Sequence, residues 1–145
     1  MIWLLRHGAA EDEARDDASR ALTAEGSLQA EAAGLALAAL GVQPDACFSS
    51  PKLRAMQTAR IACEPLGLEV AESEALRGGD FDPADLAAGY REVLLVGHEP
   101  DFSRAVQAVT GARVKISKGG LAGVDGSTLF SLLRPKEIER IAGIA

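Results

Sequence analysis

Three short strand-like runs, Ile2 to Leu5, Asp45 to Phe48 and Val93 to Val96, constrain this chain more than any other feature, because helical segments separate them. Short runs that are apolar almost throughout suit strands buried on both faces. Strands alternating with helices call for a parallel sheet covered on both sides. Between the first two runs, Glu11 to Arg20 is dense in charge and reads as a solvated loop with room for a helical turn. Thr23 then caps a helix reaching about Leu40 and ended by Gly41. Gly26 and Gly34 count against that helix by up to about 1 kcal/mol each relative to alanine, unless close helix-to-sheet packing requires Gly34. Ser49, Ser50 and Pro51 offer a serine N-cap and a proline at the first position of a helix from Pro51 to about Leu66. Leu68 to Val70 reads as a third strand, Asp82 to Tyr90 as a short helix, and Asp101 to Thr110 as a helix after the Val93 run. Near the end, Leu121 to Val124 and Thr128 to Leu133 flank Asp125-Gly126, a hairpin turn pair, and Pro135 opens a last short helix. The expected fold is α/β: three layers, a mostly parallel sheet with helices on both faces and an antiparallel edge hairpin, in a single domain over residues 1–145.

Composition narrows the function classes. With 48% hydrophobic but only 4% aromatic residues, the core must be built from Ala, Leu, Val and Ile. A net charge of −6 argues against nonspecific nucleic-acid binding, which needs a broad basic surface. It leaves room for an anionic substrate, since a few arginines in one cleft set the local potential. No apolar stretch approaches the roughly 20 residues of a membrane span, and the start MIWLLRHG is too short and too soon charged for a signal peptide, so a cytoplasmic protein without a membrane partner is expected. Cys47 and Cys63 have no metal-ligand spacing and are expected to be buried free thiols.

In open parallel sheets, ligands bind where loops leave the carboxyl ends of strands. Three segments fall there: Arg6-His7-Gly8, Ser49-Ser50-Pro51 with Arg54 one turn on, and Gly97-His98. Singly, each has a plain structural explanation. A strand-end histidine is usually a hydrogen-bonded loop residue, an arginine on a helix turn is usually solvated, the serines suffice as caps, and His98 could simply pair with Glu99. Together they bring both histidines of the chain and two arginines to one edge of the sheet, provided that their strands are neighbours.

In this order, MIWLLRHGAA, ALTAEGSLQA, FSSPKLRAMQTAR and VLLVGHEP resemble the histidine phosphatase superfamily, the phosphoglycerate-mutase-like fold, over nearly the whole chain. The compact length, the GHEP element and the late KGGLAGV segment are most similar to the SixA-type phosphohistidine phosphatases. The resemblance implies a metal-independent phosphatase without a cofactor, in which His7 is the nucleophile and Arg6, Arg54 and His98 bind phosphate. Such chemistry is sound on its own terms. An ordinary imidazole is largely neutral near pH 7, and a phosphohistidine intermediate divides one difficult transfer into two easier ones. Guanidinium groups match the three equatorial oxygens on which charge gathers.

One departure from the broader family concerns the acid that protonates a leaving oxygen. Glu72, Glu74, Asp80 and Asp82 lie in the expected interval, yet AESEALRGGDFD does not reproduce the motif. A phosphohistidine substrate needs such an acid less, because its ring titrates near neutrality and can leave protonated. The resemblance to SixA-type enzymes, which the missing acid motif supports, therefore implies a phosphorylated protein as substrate. The alternatives are a small phosphorylated molecule, hydrolysed by a phosphomonoesterase with one of those carboxylates as acid, and a noncatalytic phosphate- or phosphoprotein-binding module.

Overall fold

The computed structural model describes residues 1–144. Its six strands are β1 (Ile2–Arg6), β2 (Ala46–Ser49), β3 (Val70–Glu72), β4 (Val93–Gly97), β5 (Leu121–Asp125) and β6 (Thr128–Leu133). They form one sheet in the order β3-β2-β4-β1-β5-β6. Pairings β1/β4, β2/β4 and β2/β3 are parallel, whereas β5 runs antiparallel to both β1 and β6. The helices are α1 (Ala24–Ala39), α2 (Leu53–Cys63), α3 (Pro83–Ala87), α4 (Asp101–Thr110) and α5 (Pro135–Ala142). No described helix is long and apolar enough to cross a membrane.

Strand alternation divides the core into two halves. Trp3, Leu5, Cys47, Leu94, Val96 and Leu121 pack under α1, α2 and α5, while Leu4, Val93, Leu95 and Ala122 meet Phe102 and Val106 of α4 on the opposite face. The three-layer α/β arrangement expected from the sequence is the one observed. Cys47 and Cys63 are free and buried, also as expected.

Several boundaries differ, each for a local reason. The second helix starts at Leu53 with Lys52 as an uncapped N-cap residue, not at Pro51 behind a serine cap. Ser50 Oγ instead accepts the Lys52 amide at 3.2 Å and bonds His98, so the serine closes a turn before the helix. That helix ends at Cys63 rather than Leu66, and Leu68 N–H returns to the Cys63 carbonyl. This delays β3 to Val70, where it enters register with Cys47. The short helix stops at Ala87, short of Tyr90, because Gly89 turns the chain at a φ of 86°. Gly34 is explained by a helix rather than the sheet: a Cβ there would lie 2.2 Å from the Ala62 carbonyl oxygen of α2.

Candidate functional site

The strand order settles the geometry on which the site depends. β1 and β2 both flank β4, so the carboxyl ends carrying Arg6-His7, Ser49-Ser50 and Gly97-His98 are adjacent. A cleft of about 270 Å³ opens there, lined by His7, His98 and six cationic residues: Arg6, Arg20, Lys52, Arg54, Arg77 and Lys118. Among the described residues, only Glu99 and Asp101 bring carboxylates to its lining. The molecule carries a net charge of −6, yet this cleft is lined mainly by cations.

His7 is 7% exposed and firmly held. Its backbone N–H donates to the Gly97 carbonyl at 3.0 Å, and its own carbonyl accepts the Gly119 amide at 3.0 Å. Nδ1 lies 2.7 Å from the Gly8 carbonyl oxygen. A carbonyl can only accept, so Nδ1 carries the hydrogen and Nε2 keeps its lone pair. Burial, opposed by the Gly8 hydrogen bond and aided by Arg54, Arg6 and Arg20, pushes the His7 pKa down to about 4. The ring is therefore neutral at neutral pH, with one basic nitrogen facing the cations.

Arg54, on the first turn of α2, is 5% exposed rather than solvated. Its Nε donates toward His7 Nε2 at 3.4 Å, Nη1 donates to the Asp17 carbonyl at 2.8 Å, and Nη2 donates to Asp17 Oδ2 at 3.3 Å. Arg6 donates through Nη1 to the Ile116 carbonyl at 3.0 Å. Its buried Nε has no hydrogen-bond partner among the described residues.

His98 follows β4 and stacks obliquely on His7, with ring centroids 5.2 Å apart. Nε2 is 2.7 Å from Ser50 Oγ. Burial, then His7, Arg54 and Lys52, push its pKa down to about 3, so His98 is neutral at neutral pH. Glu99 is turned away from pairing with it. Its two oxygens accept the Ser103 amide at 2.7 Å and the Ile116 amide at 3.3 Å.

The four carboxylates singled out between Arg54 and His98 stand elsewhere. Glu72 ends β3 opposite Ser49, Glu74 is exposed and paired with Arg77 at 2.8 Å, Asp80 is exposed in a loop, and Asp82 caps α3 through the Ala84 amide at 3.0 Å. None of them lines the cleft.

Sequence reasoning passed over four cations of the cleft lining, Arg20, Lys52, Arg77 and Lys118, and two residues that hold the site together, Thr58 and Asp17. Thr58 Oγ1 donates to the Arg54 carbonyl at 2.8 Å and accepts the Gly8 amide at 3.1 Å, tying α2 to the loop after β1. Its place four residues after Arg54, on the same helical face, was the available signal. Asp17, in a 3₁₀ turn over Asp17–Ser19, had none beyond its charge. Its carboxylate meets Lys52 at 3.1 Å, Arg20 at 3.0 Å and Arg54 at 3.3 Å. Among the described residues, no group of three or more His, Cys, Asp or Glu side chains forms a potential metal site.

Comparison with known proteins agrees with this architecture. An uncharacterized protein of Picosynechococcus sp. is 35% identical over 138 residues, covering 85% of this chain and 83% of that one. Among solved structures, the protein histidine phosphatase SixA complexed with tungstate matches with a TM-score of 0.82 at 23% identity, covering 94% of this chain and 98% of the other. A protein of Nakamurella multipartitia assigned as phosphohistidine phosphatase SixA gives 0.80 at 26% identity, covering 92% and 95%. The alpha-ribazole phosphatase of Shigella flexneri gives 0.72 at 19% identity, covering 92% and 96%. The family model of the histidine phosphatase superfamily (branch 1) matches residues 2–99, the stretch from β1 through β4 that carries both histidines and both arginines. On that match the chain belongs to the histidine phosphatase superfamily, branch 1, and is a histidine-nucleophile phosphatase.

Proposed function

We propose that this phosphatase dephosphorylates phosphohistidine on a protein, with His7 as the nucleophile and Arg6, Arg54 and His98 around the transferred phosphoryl group. The observation that carries the reading is the His7 ring itself, fixed through Nδ1 on the Gly8 carbonyl at 2.7 Å with Nε2 turned to Arg54 at 3.4 Å. The Nε2 lone pair forms a bond to phosphorus as the bond from phosphorus to the substrate ring nitrogen breaks. The departing ring keeps the electron pair on that nitrogen and leaves neutral if its other nitrogen is protonated. Charge on the three equatorial oxygens is met by guanidinium donors, and the dianion raises the affinity of His98 for a proton. The phosphorylated His7 ring is cationic, a state that the Gly8 carbonyl stabilises. Water then attacks phosphorus, its proton passes to the phosphate, and Nε2 regains its lone pair.

Substrate class rests on the acid. The candidate carboxylates lie outside the cleft, and Glu99 has both oxygens engaged by backbone amides, which suits a leaving group that departs without protonation by the enzyme. Similarity to SixA points the same way. Asp101, at the cleft lining, is the group that would favour the second reading, a small-molecule phosphomonoesterase. Two free, buried cysteines and no described membrane-spanning helix accord with work in the cytoplasm.

The test compares kcat/KM for a phosphohistidine protein with a panel of phosphomonoesters, and traps the intermediate without acid. Phosphohistidine should be preferred, with acid-labile, base-stable label on His7. His7→Ala should lose turnover and label while still binding phosphate. Turnover near wild type in His7→Ala would reject the nucleophile, and preference for monoesters would reject the substrate class.

A further inference from the structure

Arg54 donates from all three of its nitrogens, and two of those bonds end on a single residue: Nη1 on the Asp17 carbonyl and Nη2 on its carboxylate. A planar group gripped at two corners has its third corner fixed, and here that corner is the Nε directed at His7 Nε2. Nothing in α2 itself orients a long arginine side chain so tightly, since it carries about 2 kcal/mol of rotamer entropy when free. Asp17 is braced in turn by Lys52 and Arg20 and by the capped turn in which Asp16 accepts the Ser19 amide at 2.9 Å.

We propose that Asp17 is a positioning residue for phosphoryl transfer, holding the Arg54 guanidinium in the plane that aims its Nε and remaining Nη hydrogens at the phosphoryl group on His7. The inference rests on the phosphatase reading above. Two other roles for Asp17 fit less well. As a proton donor it would have to be protonated, whereas its hydrogen bond with Lys52, with Arg20 and Arg54 beside it, holds the carboxyl well below the usual carboxylate range. As a structural ion pair it would matter little, because the side chain is 56% exposed and its removal uncovers no core.

The test uses the full chain and the variants Asp17→Ala, Asp17→Asn and Asp17→Glu. Measurements are kcat, KM, the pH profile, thermal stability, and competitive inhibition by phosphate and by vanadate, which mimics the transition state. Misplacing a catalytic group by about 1 Å can cost 10²-fold in rate. Positioning therefore predicts a fall in kcat of about 10- to 100-fold in Asp17→Ala, where the backbone carbonyl still holds Nη1, and a smaller fall in Asp17→Asn, whose amide oxygen can still accept from Nη2. Stability and the shape of the pH profile should be unchanged, vanadate inhibition should weaken more than phosphate inhibition, and Asp17→Glu should recover part of the rate. Unchanged kcat with tighter phosphate binding in Asp17→Ala would reduce Asp17 to a countercharge and overturn the proposal. Loss of the basic limb of the pH profile would make it an acid, and loss of activity only in step with thermal stability would make it structural; either result also overturns it. Absence of His7-dependent turnover in the wild type would instead strike the phosphatase reading.

Discussion

At the scale of single residues, the proposed nucleophile His7 and its neighbour His98 are expected to set the pH behaviour. Both have pKa values pushed down, to about 4 for His7 and about 3 for His98, against an ordinary value near 6.5. Protonation of His7 removes the lone pair, so the acid limb of kcat/KM should fall near pH 4 rather than 6.5, measured on the free enzyme with a substrate that does not itself titrate there. The same shifts contribute to the pH dependence of stability. Between the folded and unfolded pKa values the unfolded chain binds more protons, so stability rises with pH across that interval and is lost as pH falls from about 6.5 toward 4. Thermal melts should show this slope, and His98→Gln should flatten it. Arg54→Ala removes the clamp and its link to Asp17 together. A loss on the order of 10³-fold in kcat, with weaker phosphate binding, is expected from arginines that meet transferring phosphoryl groups.

At the scale of elements, the loop after β1 and the start of α1 meet through two glycines. A Cβ on Gly26 would lie 2.0 Å from the Ala9 carbonyl oxygen, and one on Gly8 would lie 2.5 Å from the Gly26 carbonyl oxygen. In an open helix, glycine to alanine gains up to about 1 kcal/mol; here Gly26→Ala should instead cost about 1–3 kcal/mol by overpacking. The loop must move, so activity should fall with the melting temperature. Thr58→Val keeps the shape of the side chain but leaves the Gly8 amide without its acceptor, which should cost about 1–3 kcal/mol in denaturant unfolding. In sequence, Gly26 reads only as a weak point of a helix, because local propensity contains no information about the backbone on the other side.

At the scale of the molecule, a chain of net charge −6 gathers Arg6, Arg20, Lys52, Arg54, Arg77 and Lys118 around one cleft. On the proposed reading these side chains supply the positive charge that bound cations provide in many phosphoryl-transfer sites. Turnover should therefore survive exhaustive chelation; loss in EDTA that Mg²⁺ or Zn²⁺ restores would contradict this. The buried run Val93 to Val96, the helix cap at Thr23 and the hairpin at Asp125-Gly126 were legible because each depends on neighbours in the chain. So was the placement of His7, Arg54 and His98 beyond strand ends. What the sequence by itself determined was thus an α/β sheet with His7, Arg54 and His98 at its carboxyl edge. Only the tertiary structure decided that β4 lies between β1 and β2, that Ser50 reaches His98 rather than capping a helix, that the four candidate acids miss the cleft, and that Asp17 in an apparently solvated loop grips Arg54. Those contacts join residues far apart in the chain, and their geometry comes from strand order and helix packing, which leave no periodic or local mark on the residues that they bring together.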